Sequence, residues 1–129
     1  MMRRKTEMAL AVLTLAFALA HLVGQGVFHS TRGQFMPFLW LHCGADLLLV
    51  CAAVRMLRGP GAVGLACGAW GLAFGLSATS FFEAALRLLE NRAPASAETA
   101  LTLWGLAFLA AALGFAASLS LSWRRAPLP

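Results

Sequence analysis

Five side chains able to bind, hydrogen-bond or titrate stand at helical spacings inside otherwise apolar sequence. His21, Gln25 and His29 follow one another at four-residue steps, and His42 and Asp46 are also four apart. Residues four apart lie on one face of a helix. Imidazole and carboxylate groups are ligands for zinc, copper, nickel or iron, so His21, His42 and Asp46 form a candidate metal site, with His29 or Glu83 as a further ligand. Two histidines on facing helices can instead hold a haem. The same groups can relay a proton or a cation, because His titrates near neutral pH. A fourth arrangement is an internal network in which Asp46 accepts hydrogen bonds from His21 and His42 and nothing binds; a fifth is contact of the cluster with a partner. Titratable groups inside apolar helices are costly there, which makes them candidates for function.

These side chains have to be positioned by apolar helices. Of the 129 residues, 60% are hydrophobic and 12% charged, with a mean hydropathy of +0.78. Soluble domains run at about 45–50% apolar and about 25% charged. That composition excludes a soluble enzyme, a disulfide-stapled secreted module and a disordered tail. Four stretches, about 8–28, 35–57, 62–82 and 99–123, reach the roughly 20 residues that a helix needs to cross a hydrocarbon core. Continuous apolar runs, rather than alternating ones, argue against a barrel. The expected fold is therefore all-α, a single transmembrane domain built as an integral membrane four-helix bundle. The segments Ser30–Gln34, Arg58–Gly61 and Glu90–Pro94 separate the spans, with Ser96 as the expected N-cap of the fourth.

Orientation follows from the basic residues, which are enriched on the cytoplasmic side. Arg3, Arg4, Lys5, Arg55, Arg58, Arg124 and Arg125 fall on one side, and only Arg32, Arg87 and Arg92 on the other. Both termini are thus expected in the cytoplasm. The net charge of +5 flanks apolar runs and points to a lipid bilayer, with no nucleic acid as partner. Trp40, Trp104 and Trp123 are expected near the interfaces, and Trp70 deeper, as a packing residue. A competing reading makes Arg3–Ala20 a signal peptide cleaved after Ala20. Against it, apolar sequence continues through Leu22, Val23, Val27 and Phe28.

Heights along the hairpin of the first two spans can be counted from its turn near Arg32–Gly33. His21 then lies level with Cys43 and Gly44, between His42 and Asp46. Thr79, Ser80 and Glu83 end the third span in the same half, and Thr102 begins the fourth. A polar pocket opening outward is expected, formed by His21, His42 and Asp46 with Gln25, His29, Thr79 and Glu83. Small residues should let the helices approach: Gly61, Gly64, Gly68, Gly71, Gly75 and Ala78 repeat at intervals of three and four, a seam containing two GxxxG steps. The expected role of Gly64, Gly68, Gly71 and Gly75 is packing within the chain, with a homo-oligomer as the alternative. Ala107, Ala110, Gly114 and Ala117 repeat the pattern on the fourth span, and Ala16, Ala20 and Gly24 on the first.

Cys43, Cys51 and Cys67 form no CxxC pair and read as packing residues, with Cys43 a further ligand candidate beside His42. No Ser-His-Asp order, phosphate loop or HExxH helix is present. Glu83, Arg87 and Glu90 carry ion-pair spacings, so the stretch Phe81–Arg92 should extend the third helix above the membrane or lie along its surface, as a solvated end or a docking element. In length and span number the chain is similar to the small multidrug transporters. Those carry a membrane-embedded Glu in the first helix, where this chain has His21. It also shares size and hydropathy with DoxX-like proteins, and lacks the arginine pattern of membrane-bound glutathione-handling enzymes. The expectation is a multi-pass protein of a bacterial cytoplasmic (inner) membrane, more a non-catalytic subunit or accessory component than an enzyme. Its polar pocket would meet a ligand, another membrane protein or a second copy of itself. A metal- or haem-binding protein and a proton-coupled cation or drug transporter are the alternatives.

Overall fold

The structure, a computed structural model, describes residues 2–32, 36–59, 61–90 and 97–124. They form four helices: α1 (Met2–Arg32), α2 (Met36–Arg58), α3 (Val63–Leu89) and α4 (Ala97–Trp123). All four are long and apolar enough to cross a membrane, as expected of a multi-pass membrane protein. Helix is what such sequence must form in lipid, because a helix satisfies its own backbone donors and acceptors. Pro37 sits in the first turn of α2, where a missing N–H costs nothing. Gly61 adopts φ 116° between α2 and α3, a conformation that disfavours any residue with a Cβ. Ser96, the expected cap of α4, lies outside the described residues. The helical extension past the third span is present, with α3 running to Leu89.

Helices adjacent in sequence are adjacent in space. The α3–α4 and α1–α2 pairs pack most extensively, α2–α3 less, and α1–α4 least. The bundle is a ring in chain order with one thin closing seam. Arg4 ties its first helix down at the α2–α3 turn end. The guanidinium donates to the carbonyl oxygens of Met56 (3.1 Å) and Leu57 (3.0 Å), two of the four carbonyls that the end of α2 leaves without helical partners.

The core at that end is mainly aliphatic, with Ala11, Leu49, Ala52, Met56, Val63 and Ala66 buried and Glu7 buried among the polar residues. Farther along α3, Trp70 is 3% exposed and locks three helices together. Its indole N–H donates to Thr14 Oγ1 on α1 at 3.0 Å, and its ring packs on Phe17 with centroids 4.8 Å apart. On α4, a Cβ at Gly114 would stand 2.5 Å from the same indole. Gly114 is the glycine that close approach requires.

The expected role of the α3 glycine seam is corrected here. Gly64, Gly68 and Gly75 face outward, and an added Cβ would meet nothing within 4 Å. Only Gly71 lies against a neighbour, with Phe115 at 3.3 Å from the Cβ position. The buried face of α3 carries Val63, Ala66, Trp70, Ala73, Ser77 and Ser80 instead. The physical reason is Trp70: α3 inserts its largest side chain into the bundle, so the glycine that admits it stands on the facing helix.

Candidate functional site

The polar faces of α1 and α2 meet. His21 Nδ1 lies 2.9 Å and 3.0 Å from the two carboxylate oxygens of Asp46, so Nδ1–H is donated to both. Asp46 is 2% exposed, and a buried carboxylate is tolerated only when partnered. The second ring nitrogen, Nε2, can donate or accept according to the protonation of the ring. The amide Nε2 of Gln25, one turn farther along α1, stands 3.4 Å from it. The chain Asp46–His21–Gln25 thereby joins α2 to two successive turns of α1.

His42 is the second imidazole, buried on α2 one turn before Asp46. Its Nε2 lies 3.4 Å from Ser80 Oγ on α3. The His21 and His42 ring centroids are 5.4 Å apart: the height counting brings them level, and the facing of α1 and α2 brings them together. Trp104 on α4 packs against both, at 6.0 Å and 5.3 Å. Phe17 stacks on His21 at 5.5 Å, and Phe38 meets His42 edge-on at 5.0 Å. Every helix therefore contributes to one centre.

A groove runs beside this centre along the thin α1–α4 seam, with a volume of about 310 Å³. From α1 it is lined by Phe17, Ala20, His21, Gly24, Gln25 and Phe28, and from α4 by Ala100, Leu103, Trp104, Ala107 and Ala110 among others. Those α1 residues cover eleven steps of helix, about 16 Å of axis at 1.5 Å per residue. The small side chains explain the opening: Ala20, Gly24, Ala107 and Ala110 leave the space that larger residues would fill. Gln25 is 2% exposed, and among the described residues its amide oxygen has no hydrogen-bond partner.

The comparisons name nothing. No family model, no curated protein and no solved structure matches this chain. The site has to be understood from its own chemistry.

Several expected pocket residues lie elsewhere. Thr79 is exposed and donates to the Gly75 carbonyl at 3.0 Å. Glu83 is exposed and pairs with Arg87, one turn along α3. Residues 79 and 83 follow the outward face of α3 because its inward face is taken by Ser77 and Ser80. His29 is half-buried near the end of α1 and does not line the groove. The metal expectation finds a pair rather than a cage: among the described residues no group of three His, Cys, Asp or Glu side chains is arranged to hold a metal ion. Cys43 is half-buried and unbridged. Trp104, expected in an interfacial belt, belongs to the centre itself. The height counting that paired His21 with α2 could have found it, since Trp104 stands about two turns into the fourth span.

Proposed function

We propose that this chain is a non-catalytic, four-span component of a bacterial cytoplasmic membrane, with both termini inside and its polar centre in the outer half. Its task is to hold a membrane-embedded ligand, or the apolar part of a partner, at the groove between α1 and α4. One observation carries this reading: a groove along the thinnest helix seam is walled by Gln25 and by His21, whose imidazole is held from behind by the buried Asp46. Polar side chains are costly inside apolar helices, and a few of them at the wall of an otherwise apolar opening are what a ligand or partner would use.

The alternatives gain less. Both histidines already have a protein partner, Asp46 for one and Ser80 for the other, and Trp104 packs against both rings. Two engaged imidazoles suit a tight network better than a haem. A proton or cation path would have to continue towards the cytoplasm through a layer where Ala11, Leu49, Ala52 and Met56 outnumber the buried polar side chains Thr14 and Glu7.

Native mass spectrometry of the protein released gently from its own membrane tests the proposal. The expected result is a species carrying a bound small molecule or a second polypeptide, which His21→Ala and Asp46→Asn diminish. Bare protein in wild type and variants alike would sink it. A stoichiometric metal ion or haem, lost in the same variants, would replace it with the cofactor reading.

A further inference from the structure

The start of α1 and the last turn of α2 gather positive charge that the bundle does not use. Arg4 donates to the carbonyl oxygens of Met56 at 3.1 Å and Leu57 at 3.0 Å, the two residues that stand between Arg55 and Arg58. Its guanidinium is thereby held at a turn that carries two more. Arg55 and Arg58 are three apart, so their Cβ atoms are about 5–6 Å from one another on one side of the helix. Both are exposed, as are Lys5 and Arg124 at the same end of the bundle. Basic side chains in a last helical turn commonly serve its unpaired carbonyls, but here Arg4 has that task. Among the described residues, none of the Lys5, Arg55, Arg58 and Arg124 side chains is paired with a carboxylate. Glu7, the one acidic residue at this end, is 4% exposed and leaves the outer face wholly cationic. At the other end Glu83, Glu90 and Glu98 balance Arg32, Arg87 and Arg92. Like charges held on one turn repel, and an anion between them removes that cost.

The depth of these groups names the source of the anion. The 23 residues of α2 make a helix about 34 Å long at 1.5 Å per residue, against about 30 Å of hydrocarbon core. Its last turn therefore stands at the level of the lipid head groups. We propose that the α1–α2 end binds an anionic phospholipid, its phosphate received by Arg4, Arg55 and Arg58. A guanidinium has five N–H donors in a fixed fork. With two given to carbonyls, Arg4 keeps three for phosphate oxygens, and its plane is already oriented. A zwitterionic head group brings an ammonium of its own into the same cluster and loses much of the attraction. The site thus selects by the net charge of the head group, and it is separate from the groove between α1 and α4.

The test is native mass spectrometry of the full chain in micelles that hold equal amounts of dioleoylphosphatidylglycerol and dioleoylphosphatidylcholine, lipids that differ in head group alone. The glycerol lipid is expected to be retained about tenfold over the choline lipid. One cation at an anionic membrane surface contributes up to about fivefold. Arg58→Gln should therefore lower the preference several-fold, and the double substitution Arg55→Gln, Arg58→Gln should bring it within about twofold of parity. Arg87→Gln, which removes one charge at the opposite end, should leave it unchanged, and Arg58→Lys, which keeps the charge, should retain most of it. Equal retention of the two lipids by the wild type overturns the proposal. So does a preference that survives the double substitution, or an equal loss in Arg87→Gln, which would make net charge alone responsible. Should the double variant not fold, the contrast of Arg58→Gln with Arg58→Lys and Arg87→Gln decides on the same terms. If neither lipid is preferred and a poly-glutamate peptide binds instead, lost in the same Arg variants, the face serves an acidic protein and the lipid is wrong.

Discussion

At the scale of single residues, the interior is governed by where each buried donor and acceptor ends. Thr14 shows the economy of this. Its hydroxyl donates to the Leu10 carbonyl at 2.7 Å, one turn back, and its oxygen accepts the Trp70 indole N–H. A Thr→Val exchange at position 14 keeps the shape and strands the indole donor in a dry core. The expected cost is about 0.5–2 kcal/mol, the range for a lost buried hydrogen bond with helices in lipid at the lower end. Thermal unfolding in detergent checks it, with Thr14→Ser expected to stay close to wild type. A Thr14→Val protein as stable as wild type would mean that the hydroxyl contributes nothing there. The His21–Asp46 pair follows the same logic. Removing either partner leaves the other buried and uncompensated, which is why both substitutions should disturb occupancy of the groove.

At the scale of helices, close approach depends on which glycine faces a large side chain, not on how many glycines line up. Gly114 receives the Trp70 indole with no room for a methyl group. Gly114→Ala should therefore destabilise the bundle by about 1–3 kcal/mol, the usual cost of overpacking. Gly68→Ala is the matched control, since Gly68 faces outward with nothing within 4 Å. It should leave stability within about 0.5 kcal/mol or raise it slightly, because Ala is the better helix former. The comparison is read from the unfolding midpoints of both variants in one detergent. Equal losses would show that the α3 seam has a packing role after all. Arg4 works between elements in another way, joining the start of α1 to the last carbonyls of α2.

At the scale of the whole molecule, the thin α1–α4 seam makes the ring of helices asymmetric, and the polar centre lies beside that seam. The distribution of Lys and Arg predicts that this half faces outward. With Cys43, Cys51 and Cys67 replaced by Ala, Ser30→Cys should react with an impermeant thiol reagent added to intact cells. Leu57→Cys, at the other end of the bundle, should react only after the membrane is opened. The reverse pattern would invert the topology and place the groove on the cytoplasmic side. Leu10, Ala11, Thr14 and Ala18 are buried parts of the bundle, so residues 1–20 are expected to stay in the folded protein. The intact mass of the membrane-extracted chain decides between this and cleavage after Ala20.

Hydropathy and spacing determined the four helices, their approximate bounds and the common height of His21, His42 and Asp46, while the convergence of the two polar faces was decided by the tertiary structure. Those are local or one-hairpin properties: a short turn joins α1 to α2, so residues at equal distance from it come level. The groove, the recruitment of Trp104 and the outward turn of Gly64, Gly68 and Gly75 needed the tertiary structure. Each depends on the rotation of one helix against another that is not its hairpin partner, and an all-round apolar helix carries little in its sequence to fix that rotation. The hydrophobic character of α4 is spread around its circumference, so its facing side is set by the shape of its neighbours. Thr79 and Glu83 show the consequence on α3. They have the right height and type for the pocket, yet the insertion of Trp70 turns their side of the helix away from it.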